Sequence, residues 1–300
     1  MQTRPRTPLA AVSAALCTSL CAAGVLAAAA PVTSAAPRPP ASAPAPLDYV
    51  ALGDSFAAAP LVSPADPSNL LCVRSLADYP HVAAKALGAR LTDVSCSAAT
   101  AGDLSKPQHP GTRPQYEALN TGTDVVSITI GGNDTGLVAA ALDCVNLLPE
   151  PVGSSCAARN TAGGSDKVKD GIDAWAPQFG TVLAEIRRRS PHADVFVIGY
   201  GNYIRPGGCF PVQPLWADDA TYLQGAVNHL GAVLRDAAHD HGATFVDTYR
   251  LGIGHDACAA PADRHTEGFV PTDDAAPLHP NGKGAEAVGE ALAAAVRVTR

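Results

Sequence analysis

Apolar and polar positions follow two rhythms along this chain. Short apolar, β-branched runs at Leu47–Leu52 (LDYVAL), Arg90–Ser95, Asp124–Ile130 (DVVSITI), Ala193–Tyr200 (ADVFVIGY) and Ala243–Tyr249 (ATFVDTY) predict strands. Between them, longer segments with helical spacing predict helices at Tyr79–Leu87, Gln115–Leu119, from Leu137 onward, Lys167–Arg189, Trp216–His241 and Gly284–Val298, with a boundary or kink at Pro177. Strands that alternate with helices build a parallel sheet covered on both faces. The expected fold is therefore one doubly wound, flavodoxin-like α/β domain over residues 47–300. Two connections, Asn202–Leu215 and Gly252–Pro280, are longer than usual; each follows a strand and holds a cysteine.

The first residues follow neither rhythm. Arg4 and Arg6, with no acid nearby, precede an Ala-rich apolar stretch from Leu9 to Ala30 and then small residues, the order of a secretory signal peptide over residues 1–36. Cleavage is expected after Ala30 or Ala36. A membrane anchor is the rival reading, but Ala is weakly apolar and Ser13, Thr18 and Ser19 interrupt the stretch, so no stable anchor is expected. Residues 37–46, rich in Pro and Ala, form an extended leader. Losing the signal removes two arginines and no acid, so an exported chain becomes more acidic.

Charge narrows the partners. With 28 acidic against 21 basic side chains in 300 residues, no basic surface draws the protein to nucleic acid. The one basic run, Arg187-Arg188-Arg189, reads as a solvated helix end. An apolar fraction of 47% excludes wholesale disorder.

Of eight cysteines, Cys17 and Cys21 leave with the signal. Six remain, and an even number in an exported chain argues for three disulfides in an oxidising compartment. The count leaves many pairings open; sequential pairing is the simplest. A zinc site using Cys258 between His255 and His265 is the alternative, disfavoured because no Cys-x-x-Cys pair accompanies it.

Ligands of open parallel sheets bind beyond the carboxyl ends of the strands. The first strand leads into Gly53-Asp54-Ser55-Phe56, the second ends near Cys96-Ser97-Ala98-Ala99-Thr100, the third in Gly131-Gly132-Asn133-Asp134, and His279 stands just before the last helix. A serine, an amide and a histidine at one edge suit acyl transfer: serine needs a base to take its proton, and the developing oxyanion needs preorganised donors. Taken singly, Ser55 reads as a helix cap, Asn133 as a turn residue and His279 as a cap of the last helix. Their joint order favours catalysis.

These residues resemble the GDSL, or SGNH, family of lipases and esterases, and specifically its secreted actinobacterial branch. YVALGDSFAA is similar to the first family block, CVRSLADYP to the cysteine-containing segment after it, LTDVSCSAAT to the second block, SITIGGND to the third and PLHPNGKG to the fifth. The resemblance implies Ser55 as nucleophile, His279 as general base and acid, and an oxyanion hole of the Ser55 and Ala98 backbone N–H groups with the Asn133 side chain. It also implies disulfides Cys72–Cys96, Cys144–Cys156 and Cys209–Cys258, and no cofactor or metal. The G-x-S-x-G elbow of α/β-hydrolases is absent around Ser55.

Two positions depart from the pattern. Ala98 replaces the usual Gly of the second block, which keeps the N–H but adds a methyl expected to alter the size of acyl group accepted. Ala276 stands where the family often has Asp, three residues before the histidine. A Ser–His dyad with the imidazole held by the Ala276 carbonyl is the favoured expectation, with Asp273 or Asp274 as third member otherwise. The expected protein is a secreted, monomeric serine esterase or lipase acting on an ester or lipid substrate. Leu137, Leu147, Leu148, Phe210, Leu215 and Trp216 are candidates to line its acyl site. A phospholipase or a carbohydrate deacetylase on the same fold is the alternative, and a non-catalytic secreted binding protein is the alternative of another class.

Overall fold

The computed structural model describes residues 45–300; the signal-peptide expectation and most of the leader lie outside the described residues. Five strands, β1 (Asp48–Gly53), β2 (Arg90–Asp93), β3 (Val125–Thr129), β4 (Asp194–Ile198) and β5 (Thr244–Val246), form one all-parallel sheet in the order β2-β1-β3-β4-β5. This is the flavodoxin-like order expected of a doubly wound domain.

The two-residue strand repeat explains the layering. From β1, β3 and β4, Val50, Leu52, Val126, Ile128, Val195 and Val197 turn to one face. There they pack against α3 (Leu137–Asp143), α5 (Lys167–Arg189) and α6 (Ala217–Asp240). Tyr49, Ala51, Val125, Phe196 and Ile198 turn to the other, against α2 (Tyr79–Leu87) and α7 (Gly282–Thr299). Both faces are covered, so the three central strands read as apolar runs rather than as alternation. Two fully buried polar residues of β3 on the α2–α7 face are paired there: Ser127 Oγ lies 2.6 Å from Tyr49 Oη, and Thr129 Oγ1 lies 3.0 Å from Tyr79 Oη.

Several boundaries differ from the sequence expectation. Helix α5 runs unbroken through Pro177, because the rest of its apolar face, from Val168 to Ile186, is buried and outweighs one missing N–H bond. Gln115–Ala118 is a single 3₁₀ turn. Two short helices were not expected: α1 (Ser55–Ala58), and α4 (Cys156–Thr161), which starts at a Ser155 cap. The three disulfides join Cys72 to Cys96, Cys144 to Cys156 and Cys209 to Cys258. The last uses the Cys258 sulfur, so His255 and His265, whose rings stack at 4.0 Å, have no thiolate between them for zinc.

Candidate active site

The end of β1 is shaped by Gly53, whose φ of +144° and close approach to β3 exclude a side chain: a Cβ would fall 2.5 Å from the Thr129 carbonyl oxygen. The Gln115 amide holds this glycine at both backbone groups, accepting its N–H at 2.8 Å and donating to its carbonyl at 2.9 Å. Asp54 then caps α1, its Oδ1 accepting the Phe56 N–H at 2.9 Å, and Ser55 becomes the first residue of the helix. In that position the Ser55 N–H has no intrahelical acceptor and stays available.

His279 meets Ser55 across the sheet edge, with Nε2 2.7 Å from Oγ. Its Nδ1 lies 2.7 Å from the Pro277 carbonyl oxygen, which fixes the tautomer with the proton on Nδ1 and the lone pair on Nε2 facing the serine. The expectation for the acceptor is thereby corrected. The Ala276 carbonyl is taken by the His279 backbone N–H at 3.1 Å, leaving the next carbonyl for the ring. Asp273 and Asp274 are exposed, and the Asp273 carboxylate accepts the Asp274 N–H; neither reaches the imidazole. Desolvation in this partly buried position pushes His279 below the usual histidine range, and the bond to Pro277 only partly opposes it.

The turn before α7 is held from below. Asn281, not His279, caps that helix, accepting the Lys283 and Gly284 N–H groups at 3.1 Å and donating to the Arg264 carbonyl and the Glu267 carboxylate at 2.9 Å. The His279 carbonyl accepts the Glu267 N–H at 2.9 Å.

Asn133 follows β3 and shares a cavity wall with Ser55 and His279. One hydrogen of its Nδ2 goes to the Ala99 carbonyl at 2.8 Å, which orients the amide and leaves its second hydrogen free. Ala98 has φ +65°, the left-handed conformation that glycine adopts without strain, which gives a physical reason for the family's Gly at this position. Its methyl is exposed and lines no part of the acyl cavity, so the expectation that it alters acyl size is not supported by its placement. Ala98 is linked to the site through its neighbour Ala99.

Beneath these groups lies a network with no counterpart in the sequence reading. Asp54 is 1% exposed; burial pushes its carboxyl up to about 7, against the pull of the Tyr200 hydroxyl and the Phe56 N–H. Tyr200 Oη donates to Asp54 Oδ2 and accepts the Gly132 N–H at 2.8 Å. Asp134, raised by burial, accepts the Ala101 N–H at 3.0 Å and so ties the third block to the second. The available signal was positional: Tyr200 is a polar aromatic at the carboxyl end of a central strand.

Ser55 and His279 stand beside an apolar cavity walled by Phe56, Leu137, Ala141, Tyr203, Val227 and Phe269. Of the sequence candidates only Leu137 belongs to it. Leu215 and Trp216 are core residues, while Leu147 and Leu148 lie exposed on the loop beyond α3. Val138 and Leu142, one turn apart on α3, line the cavity yet remain 49% and 62% exposed, so they form its rim.

A profile of the GDSL-like lipase/acylhydrolase family matches residues 51–287. The chain belongs to that family. As a GDSL lipase/acylhydrolase it is a carboxylic ester hydrolase with an ester or lipid substrate. It is 43% identical to Lipase 2 of Streptomyces coelicolor over 258 residues, 84% of this chain and 86% of that protein. Among solved structures it is similar to the extracellular lipase of Streptomyces rimosus, at TM-score 0.69 and 30% identity over 83% of this chain and 99% of that one. Phospholipase A1 of Streptomyces albidoflavus gives TM-score 0.69 and 26% identity, over 84% and 99%. Among the described residues no helix is long and apolar enough to cross a membrane.

Proposed function

We propose that this family member is an exported, monomeric lipase or esterase that works through an acyl-enzyme on Ser55 with a Ser55–His279 dyad. The observation that carries the reading is the 2.7 Å contact of His279 Nε2 with Ser55 Oγ at the mouth of an apolar cavity. As Oγ attacks the ester carbonyl, its proton passes to Nε2 and the carbonyl oxygen becomes an oxyanion beside the Ser55 and Ala98 N–H groups and the Asn133 amide. Collapse breaks the ester C–O bond, and the departing alkoxide takes the proton from Nε2. Water then attacks the acyl carbonyl with His279 again as base, releasing the carboxylic acid and restoring Ser55. The Pro277 carbonyl keeps Nδ1 protonated throughout.

The cavity lining and the exposed Val138 and Leu142 at its rim support an acyl chain longer than acetyl. Similarity to a phospholipase A1 supports a phospholipid as the second reading, since headgroup rather than acyl cavity separates the two. Residues 1–36, the three disulfides and the extracellular lipase among the similar structures support export. The test is Ser55→Ala on p-nitrophenyl acetate, butyrate and palmitate, with a fluorophosphonate label mapped by mass spectrometry. Loss of hydrolysis, labelling at Ser55 and preference for the longer esters are expected. Full activity in Ser55→Ala, or no labelling across several probe sizes, refutes the assignment and revives a non-catalytic binding role.

A further inference from the structure

We propose that Tyr200 is a positioning residue that ties the two halves of the oxyanion hole together. The inference rests on the roles proposed above for Ser55 and Asn133. Those donors come from different places: the Ser55 N–H from the turn after β1, the Asn133 amide from the loop after β3. The strands themselves are joined up to the Asp54 N–H, which donates to the Thr129 carbonyl at 2.9 Å. Beyond that point the two segments diverge, and a side chain from just past β4 spans them.

The Tyr200 hydroxyl is bonded on one side to the N–H of Gly132, the residue before Asn133, and on the other to the carboxylate of Asp54, the residue before Ser55. Asp54 passes the restraint on by accepting the Phe56 N–H, so both neighbours of Ser55 are held. Phe56 is gripped a second time, its ring 5.4 Å from that of Tyr200. The approach is close: a Cβ on Gly132 would lie 3.2 Å from the Tyr200 hydroxyl and ring, tight enough that the tyrosine would have to shift. Tyr200 is 5% exposed and Asp54 1%, so water does not compete for either bond. The hydroxyl makes both bonds of this network, and Tyr200 also lines the cavity. Removing the oxygen alone therefore separates positioning from substrate packing.

The experiment compares Tyr200→Phe, Asp54→Asn, Asn133→Ala and the Tyr200→Phe/Asn133→Ala double variant on p-nitrophenyl butyrate, with Ser55→Ala as control and thermal unfolding run alongside. Tyr200→Phe is expected to lower kcat ~10–100-fold through misplacement of donors, with KM within twofold of wild type. Asn133→Ala is expected to lower kcat ~100–1000-fold. Because part of the Tyr200 effect passes through Asn133 and part through Ser55, adding Tyr200→Phe to Asn133→Ala should cost less than Tyr200→Phe costs alone; a general loosening of the fold would instead multiply the losses and raise KM. Asp54→Asn keeps the shape but leaves one acceptor oxygen for two donors, the Tyr200 hydroxyl and the Phe56 N–H. It should lower kcat to a similar extent, and it carries the test if Tyr200→Phe fails to fold. Unchanged kcat in either folded variant, or multiplying losses in the double variant, overturns the inference. Retained activity in Ser55→Ala would instead overturn the catalytic assignment on which it rests.

Discussion

Ala98 offers a substitution whose outcome can be worked out in advance. Its φ of +65° costs an L-residue about 1–2 kcal/mol relative to glycine. Replacing it with Gly removes that strain but frees the unfolded chain, at about 0.5–1 kcal/mol. Its methyl is exposed, so no burial is lost. The balance favours Ala98→Gly by up to about 1.5 kcal/mol, a rise in Tm of up to roughly 6 °C for a domain of this size. Differential scanning calorimetry on the disulfide-intact protein reads it directly. Relative kcat/KM for acetyl, butyryl and palmitoyl esters, measured on the same protein, should stay in wild-type proportion because the methyl lines no part of the acyl cavity. A fall in Tm of two degrees or more would show that strain at this turn is not what the backbone angle implies. A changed chain-length preference would refute the placement of the methyl.

The remaining expectations concern the base. Asp273→Asn and Asp274→Asn should each retain kcat/KM within tenfold of wild type, since neither carboxylate reaches His279; a loss of ~10⁴, as when a triad carboxylate is neutralised, would restore a third member. Desolvation disfavours the His279 imidazolium and no carboxylate sits beside Nδ1 to offset it, so the neutral base persists to lower pH than in a free histidine. The acid limb of kcat/KM should therefore fall below the ordinary histidine value of about 6.5, and a limb above it would contradict this arrangement.

Much of the fold was legible because the central strands are buried on both faces, which turns β1, β3 and β4 into apolar runs that periodicity detects. β5 is a shorter strand than its run, and only Val246 of its three residues is buried. Pro177 does not end α5, because the apolar face continues past it, which local propensity alone does not register. Ser55 and Asn133 were legible through motifs at strand ends, and His279 through the motif that precedes α7. Tyr200 was not, because its meeting with Asp54, 146 residues away in sequence, depends on strand order. The choice of Pro277 over Ala276 was equally hidden, since it depends on which carbonyl the turn has already used.

The proposed dyad also ties competence to how far synthesis has proceeded. Ser55 lies near the start of the folded domain and its base lies 224 residues later, on the turn into the final helix. The turn that carries His279 leads into α7, which packs against α2. Under the proposed dyad, a nascent or truncated chain that lacks His279 carries the nucleophile without its base.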